Sequence, residues 1–227
     1  MDLLHVLRTN GSIRAFRPDP IDDATVARIL DTARFAPSGG NMQGWRVILV
    51  KDHALRHHVQ DLARLGWNEY AALRAAGQRP FAADASGRWP GPGDVDLAAS
   101  RTAHHPMPSV DNITTAPVLL VVAVDIQTLA AMDTTLDRVG IIAGASIYPF
   151  TQNILLAARA EGLGGTLTTF LVRQEPAAQA VLGLPPHFAI AALICLGVPE
   201  RQPSKLTRRP VESFATIDRF DGTPLNL

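Results

Sequence analysis

Two nearly continuous apolar runs constrain the fold of this chain more than any other feature. Residues 117–124 read Pro-Val-Leu-Leu-Val-Val-Ala-Val, and residues 188–198 contain Ala-Ile-Ala-Ala-Leu-Ile-Cys-Leu. Such short runs, rich in aliphatic and β-branched residues, are typical of strands that are buried on both faces of a sheet. A chain of 227 residues is long enough to cover such strands with helices in one large domain, which we place at residues 1–227.

Helical patterns surround these strands. The spacing of apolar residues predicts helices at 2–8, 22–35, 54–65, 136–162 and 175–182, and weaker strand patterns occur at 46–51 and 166–170. Asp22 or Asp23 is a suitable N-cap for the second helix. Pro149 is expected to kink or interrupt the fourth helix unless it lies in a first turn.

Charge and cysteine content exclude several classes of protein. The chain has 21 Lys+Arg against 21 Asp+Glu, which argues against nucleic acid or an anionic membrane surface as the main partner. Cys195 is the only cysteine, so an intramolecular disulfide and a cysteine-rich metal site are excluded. Its apolar surroundings predict a buried, inert thiol.

The terminus and the apolar windows give no sign of export or membrane insertion. The first residues lack the basic region and apolar core of a signal peptide. The most apolar long window, 141–163, contains Gln152, Asn153, Arg159 and Glu161 and is too polar for a membrane span. We therefore expect a cytoplasmic protein that has no membrane partner.

A glycine-containing turn at residues 36–45 places two side-chain amides two residues apart. Its sequence is Ala-Pro-Ser-Gly-Gly-Asn-Met-Gln-Gly-Trp, with Asn41 and Gln43 between a predicted helix and a predicted strand. Each amide offers one acceptor and one donor group, which together match the edge of a flat heterocycle such as the pyrimidine side of an isoalloxazine ring. The alternative is a helix-to-strand loop whose amides satisfy local backbone groups.

A second candidate site follows the first helix. Asn10-Gly11 predicts a turn, and Ser12 and Arg14 point to the same side if the segment is extended. A hydroxyl and a guanidinium so placed suit a phosphate group. The alternative is a solvated turn with a surface arginine.

Residues 77–115 form a long segment rich in proline and glycine, with Phe81 and Trp89 within it. A loop of this length is either a mobile linker or a functional cover, and its aromatic residues favour a lid over a pocket. The adjacent histidine pairs, His57-His58 and His104-His105, lack further ligands at suitable spacing, so no metal site is predicted.

Two further segments carry candidate residues. Gly162 is a natural helix C-cap, and the paired Gly164-Gly165 expose backbone N–H groups without a side chain in the way. The C-terminal segment 203–227 holds a basic cluster that includes Arg208 and Arg209, and its spaced apolar residues predict an extension that packs on a second subunit.

Four motifs in this order make the chain resemble the FMN-dependent nitroreductase family over nearly its whole length. They are Ser-Ile-Arg-Ala-Phe at 12–16, the turn at 36–45, Gln-Asn-Ile-Leu-Leu-Ala-Ala at 152–158 leading to Gly-Leu-Gly-Gly at 162–165, and Arg-Arg-Pro-Val-Glu at 208–212. The turn at 36–45 is the most specific of the four. The resemblance implies an α+β fold with a central, mostly antiparallel sheet wrapped by helices, and an intertwined homodimer with two FMN sites built from both chains.

The resemblance also assigns roles to residues. Ser12, Ile13 and Arg14 are implied to hold the FMN phosphate, with help from Arg208 or Arg209. The ring and ribityl chain are implied to contact Pro37, Ser38, Gly39, Asn41 and Gln43. The backbone of Leu163, Gly164 and Gly165 is implied to cover the other face of the ring. The chain departs from the family pattern at Asn10 and Gly11, where arginines are usual, and at Gly44, where proline is common; Arg8, Lys205 or Arg209 is expected to compensate at the phosphate.

The implied activity is that of an FMN-dependent oxidoreductase. NAD(P)H delivers hydride to flavin N5, and a small nitroaromatic, quinone or related acceptor is reduced in a ping-pong cycle. No catalytic side chain is demanded, and the 77–115 segment is expected to select the acceptor. The alternatives are an FMN-dependent dehydrogenase, a flavin-consuming or dehalogenating relative, and a non-catalytic flavin-binding module.

Overall fold

The structure is a computed structural model that describes residues 2–226. Met1 and Leu227, the first and last residues of the predicted domain, lie outside the described residues. Leu227 is also the last residue of the predicted 203–227 extension.

A four-stranded antiparallel sheet forms the centre of the molecule. Its strands are β1 (Trp45–Leu49), β2 (Val118–Asp125), β3 (Gly164–Thr168) and β4 (Phe188–Gly197), arranged in the order β1-β2-β4-β3. All three pairings are antiparallel, and the seven residues 118–124 of β2 are buried. The two apolar runs therefore form the two inner strands, which confirms the α+β class and the antiparallel sheet.

Helices cover both faces of the sheet. They are α1 (Leu3–Thr9), α2 (Asp23–Ala33), α3 (His53–Ala75), α4 (Leu97–Ser100), α5 (Pro108–Asp111), α6 (Tyr148–Ala160) and α7 (Glu175–Leu182). The core on one face is formed with α2 and α6, and the core on the other face with α3, α5 and α7. As expected, the Asp22 carboxylate caps α2 by accepting a hydrogen bond from the Thr25 N–H at 2.7 Å.

Helix α3 extends ten residues beyond residue 65, where the predicted helix ended. Gly66 does not end the helix, since α3 passes directly over the backbone of Phe170 at this point. A Cβ atom on Gly66 would lie 2.1 Å from the Phe170 carbonyl oxygen. The glycine thus permits close packing within the helix.

The prediction of one helix over 136–162 is wrong. The α-helix begins only at Tyr148, after a 3-10 turn at Ile142–Ser146, and Pro149 lies in its first turn, where a missing N–H costs nothing. The residues before it fold around the Asp133 carboxylate, which accepts hydrogen bonds from the N–H of Ile141 at 2.8 Å and from Arg138 Nη1 at 2.8 Å. Local side-chain bonding at Asp133 therefore competes successfully with helix formation.

Within the part of the chain that the structure describes, no helix is both long and apolar enough to span a membrane.

Candidate functional site

The segment after α1 lies against β3. Ser12 forms a parallel bridge with Gly165, and the Ile13 N–H donates to the Gly165 carbonyl at 2.8 Å. Ile13 is buried, whereas Ser12 and Arg14 are exposed on the same side. Arg14 Nε donates to Ser109 Oγ at 3.3 Å, so the guanidinium is directed toward the end of the 77–115 segment.

Gly164 and Gly165 are required by packing on both sides of β3. A Cβ on Gly164 would lie 2.5 Å from Ile13 Cγ1, and one on Gly165 would lie 2.4 Å from Leu196 Cδ2. The Leu163 N–H donates to the Ala158 carbonyl at 2.9 Å, so this donor is already used within the chain. The glycines bring the Ser12–Arg14 segment against β3, and we call this part of the molecule, 12–14 with 163–165, the arginine corner.

A cavity of about 630 Å³ opens at the arginine corner. Its charged lining residues are Arg14, Arg201, Lys205 and Glu200, and Ser12 contributes its hydroxyl. The excess of cations over carboxylates suits a phosphate group. Arg208 and Arg209 are exposed and do not line this cavity, so within one chain Lys205 and Arg201 lie where the tail arginines were expected.

A second cavity of about 400 Å³ shares Arg14 with the first. One wall of this cavity is the end of β3 and the turn that follows it. Helix α3 and the 77–115 segment form the remaining sides. The lining consists of Arg14, Trp67, Tyr70, Arg74, Met107, Ser109, Thr166, Leu167, Thr168, Thr169 and Phe170. No carboxylate is among these residues, so the two guanidiniums give the cavity a positive character.

Sequence reasoning missed the α3 side of this second cavity. Trp67, Tyr70 and Arg74 recur at intervals of three and four, which places them on one helix face. This pattern is visible in the sequence, but the predicted helix ended at residue 65, before the pattern starts at Trp67. The rings of Trp67, Tyr70 and Phe170 lie 5.3–5.7 Å apart and form an aromatic wall.

The turn that carries Asn41 and Gln43 has an unusual backbone. Gly40, Asn41 and Gln43 have φ values of 58°, 54° and 50°. The backbone of residues other than glycine rarely adopts this left-handed region. The turn is fixed by hydrogen bonds from the Gln43 N–H to Ser38 Oγ at 3.0 Å and from the Gly39 N–H to Ser146 Oγ at 3.0 Å. A strained but well-fixed backbone is typical of a functional segment.

Pro37, Gly39, Asn41 and Gln43 are exposed and Ser38 is half-buried. We call 37–43 the amide corner. Gln43 Nε2 donates to the Asn41 carbonyl at 3.2 Å, so part of its amide is satisfied locally, as the alternative interpretation of this turn expected. The Asn41 side chain is exposed at the tip of this turn.

The packing around Gly44 accounts for glycine, in place of the common proline, before Trp45. A Cβ on Gly44 would lie 1.9 Å from Thr128 Oγ1, whose hydroxyl donates to the Asp125 carbonyl at 2.7 Å. Thr128 thus fills the room that a proline ring would take. Trp45 stacks on Phe150 with a centroid separation of 4.6 Å and fixes the start of β1 against α6.

The two corners lie at diagonally opposite ends of the sheet. The amide corner precedes β1, and the arginine corner contains β3, the other edge strand, so about 14 Å separates them across the sheet. Along the strands, Trp45 is level with Ala189, whereas Gly164 is level with Gly197, which adds about 27 Å. The total of about 30 Å is far too long for the two corners of one chain to touch the same flavin ring.

The 77–115 segment is attached to α3 over much of its length. Trp67 Nε1 donates to the His105 carbonyl at 2.7 Å, and Asn68 Nδ2 donates to the Ala103 carbonyl at 2.6 Å. Its later part reaches the cavities through Met107, Pro108 and Ser109. The rings of Phe81 and Trp89 are in contact, tilted by 53° with their centres 5.1 Å apart, and line neither of these two cavities.

Two titratable groups outside the corners, Cys195 and Asp133, have structural roles. Burial raises the pKa of the Cys195 thiol to about 12, which confirms the predicted buried and inert thiol. The Ile141 N–H, together with the Arg138 guanidinium, lowers the pKa of Asp133. Among residues 2–226 there is no group of three or more His, Cys, Asp or Glu side chains placed to hold a metal ion.

The chain is similar to a known protein family, to one protein in sequence, and to two solved structures in fold. The model of the family described as "Nitroreductase family" matches residues 7–198. A 5,6-dimethylbenzimidazole synthase from Rhodobacter capsulatus is 32% identical over 198 residues, which cover 87% of this chain and 84% of that protein.

Two solved structures share the fold. The NADPH:FMN oxidoreductase from Vibrio harveyi in complex with NAD+ superposes with a TM-score of 0.65 at 22% identity, covering 99% of this chain and 79% of that one. Oxidised iodotyrosine deiodinase bound to FMN and 3-iodo-L-tyrosine superposes with a TM-score of 0.65 at 18% identity, covering 97% and 99%. At these identities the two structures are informative about the fold only.

Proposed function

This chain belongs to the nitroreductase family, and from that premise we propose that it is an FMN-dependent oxidoreductase which takes hydride from NAD(P)H and reduces a small nitroaromatic, quinone or related acceptor. Flavin binding and oxidoreductase chemistry are general to the family, whereas the electron donor and the acceptor are specific to this proposal. The observation that carries it is the pair of cation-lined cavities at the arginine corner, which share Arg14.

FMN fits these cavities because they contain polar atoms that lack partners within the chain. Gln202 Oε1 borders the first cavity and Thr168 Oγ1 the second, and both are buried without a hydrogen-bond partner among the described residues. Buried polar groups are nearly always bonded, so a ligand is the natural partner for both. Arg14 and Arg74 likewise have no carboxylate within salt-bridge distance in residues 2–226.

We assign the phosphate to the first cavity and the ring to the second. Ser12, Arg14 and Lys205 would bind the phosphate, with Arg14 able to do so through two N–H groups. Arg208 and Arg209 remain candidates for the same role. Leu163, Gly164 and Gly165 support this site from beneath by positioning Ile13.

The flavin, when bound, supplies the two-electron chemistry, and the protein positions and shields it. Arg74 places a positive charge in the ring cavity, which favours an anionic bound species. Trp67, Tyr70 and Phe170 exclude water from one side of that cavity. The chain needs no side-chain acid or base for these roles.

A second copy of the chain completes each site in this proposal. The partner subunit's Asn41 and Gln43 would bind the polar edge of the ring, since the same residues of the first chain lie about 30 Å away. The C-terminal extension supports a dimer, because Phe214 and Ile217 are largely exposed and Phe220 is 101% exposed in the single chain. Apolar side chains so placed are typical of an obligate interface.

The 77–115 segment covers the ring cavity in this proposal. Met107 and Ser109 are the members of the segment that line the cavity, and they would contact the acceptor or the ring edge. Phe81 and Trp89 would act on the acceptor only indirectly, through the position of the segment.

The test is an anaerobic titration of the purified protein. We expect a yellow protein that contains FMN, is dimeric, and bleaches on addition of NADH or NADPH. Colour then returns on addition of a nitroaromatic or a quinone. A colourless monomer that ignores added FMN would refute the proposal, and a bound flavin that no donor reduces would leave a non-catalytic flavin-binding module.

The 32% identity to a 5,6-dimethylbenzimidazole synthase favours a second candidate function, in which the flavin is consumed. In that case the reduced protein, when exposed to oxygen, would lose its flavin absorbance and release 5,6-dimethylbenzimidazole, detectable by chromatography. Full recovery of the flavin spectrum after oxygen would exclude this activity. Release of iodide from 3-iodotyrosine by the reduced protein would instead indicate a dehalogenase, and reduction only by an organic donor would indicate a dehydrogenase.

A further inference from the structure

A fully buried carboxylate on α3 joins two separate parts of the chain. Glu69 is 0% exposed, and each of its oxygens accepts one hydrogen bond from an arginine. Arg101 Nε donates to Oε1 at 2.7 Å, and Arg173 Nε donates to Oε2 at 2.7 Å. We call these three residues the Glu69 cluster.

The two arginines belong to opposite walls of the ring cavity. Arg101 follows α4 in the 77–115 segment, eight residues or fewer before the lining residues Met107, Pro108 and Ser109. Arg173 lies in the turn Phe170–Gln174, directly after the lining residues 166–170. Glu69 itself does not line the cavity. It therefore connects the walls without reaching the ligand.

The first part of the 77–115 segment is held by the same cluster. The Arg173 guanidinium lies 4.6 Å from the centre of the Phe81 ring, which is cation–π distance. Phe81 has a φ of 53°, an outlier for a bulky residue, and such strain persists only where the surroundings impose it. Two points of the segment are thus tied to the Glu69 carboxylate, Arg101 directly and Phe81 through Arg173.

Fold stability is a poor explanation for this cluster. Burying the Glu69 carboxylate carries a large desolvation cost, whereas the side chains of Arg101 and Arg173 are 41% and 37% exposed, so solvent screens their attraction to it. What an ion cluster adds is a defined geometry, because each Glu69 oxygen fixes one arginine.

We propose that Glu69 is a positioning residue of the flavin site, which sets the distance between the 103–109 wall and the 166–170 wall of the ring cavity. The proposal rests on the function proposed above. Its physical basis is that small displacements of positioning groups cost large factors in rate or affinity.

The test compares a triple variant, Glu69→Leu with Arg101→Met and Arg173→Met, with the native protein. The replacement removes the cluster without leaving a buried charge, so the melting temperature should stay close to native. We expect KM for the acceptor to rise on the order of 10-fold, with faster amide hydrogen exchange in 103–109 and 166–170 and unchanged exchange in β2. Arg28→Met, at the exposed Arg28–Glu161 pair, is the matched control and should change none of these.

Native exchange in both walls together with native KM would overturn the proposal, as would an equal increase of exchange throughout the chain. The exchange measurement is made without flavin, so it decides whether Glu69 fixes the two walls even if the native protein binds no FMN. A native protein that binds no FMN would refute only the proposed function. Should the triple variant fail to fold, Arg101→Gln is used, and faster exchange confined to 103–109 is then expected.

Discussion

The arginine corner and the amide corner differ in how much of a binding site each one contains. The arginine corner has two cavities, four cations and buried polar atoms without partners. The amide corner has a strained and well-fixed backbone, but Asn41 and Gln43 project from an exposed turn. One corner can surround a ligand within a single chain, whereas the other can only present two amides to something that approaches it.

This difference indicates a division of labour. Binding of phosphate requires converging charges, which the bridge between Ser12 and Gly165 brings together inside one chain. Recognition of a ring edge requires only donors and acceptors at a fixed spacing, and the φ values of Asn41 and Gln43 fix that spacing without a surrounding cavity. A dimer in which each amide corner meets the arginine corner of the partner subunit would combine phosphate binding by one chain with recognition of the ring edge by the other.

Loss of the guanidinium at the arginine corner is expected to have the largest effect. Arg14→Ala removes a charge-assisted contact worth about 1.5–3 kcal/mol, so FMN affinity should fall about 10- to 150-fold. Equilibrium dialysis or flavin fluorescence measures this. Arg17→Ala is the matched control, because Arg17 is also exposed but pairs with Asp19 and does not line either cavity. Equal losses in both variants would show that general charge, and not the cavity, determines the affinity.

Mixing two damaged proteins tests whether the corners belong to one site. Asn41→Leu should weaken FMN binding about 10-fold or shift its potential, because ring contacts are lost while the fold stays intact. If Arg14→Ala and Asn41→Leu chains are unfolded together and refolded as mixed dimers, one site of each mixed dimer carries both changes and the other carries neither. We therefore expect native-affinity binding to reappear in the mixture. A mixture that binds no better than its parents would mean that the corners serve separate sites.

The sequence predicted each corner but not the distance between them. The N-cap at Asp22 and the inner strands were confirmed because their signals are local, whereas the binding roles of both motifs stay predictions. The strand order β1-β2-β4-β3, which puts the corners on opposite edges, depends on pairings between remote segments and leaves no local signal. Trp67, Tyr70 and Arg74 were missed because Gly66 resembles a helix end, and its actual role depends on contact with Phe170.

The packing of Gly44 tests how the amide corner is supported. Gly44→Ala should destabilise the fold by about 1–3 kcal/mol, because the new Cβ would meet Thr128 Oγ1. Thr128→Ala removes that oxygen, so the double variant should lose less stability than the sum of the two single variants. Urea denaturation measures all three. Simple additivity would show that Thr128 does not fill the space in front of Trp45.

The smallest expected effect concerns Asp133, which organises the chain behind the amide corner. Its carboxylate fixes the start of the Ile142–Ser146 turn, and Ser146 accepts the Gly39 N–H. Because the folded-state pKa of Asp133 is lowered, its stabilising contribution is present above the ordinary aspartate pKa and is lost as the pH falls through the folded pKa. The melting temperatures of the native protein and Asp133→Asn should therefore differ at pH 7 and converge in acid. Asp84→Asn is the control: the Ser86 hydroxyl lowers the pKa of Asp84 in an exposed turn, so this change should alter acid stability without altering FMN retention. If Asp133→Asn also leaves FMN retention at pH 7 unchanged, the amide corner does not depend on the turn behind it, and the hydrogen bonds within residues 38–43 maintain its strained backbone.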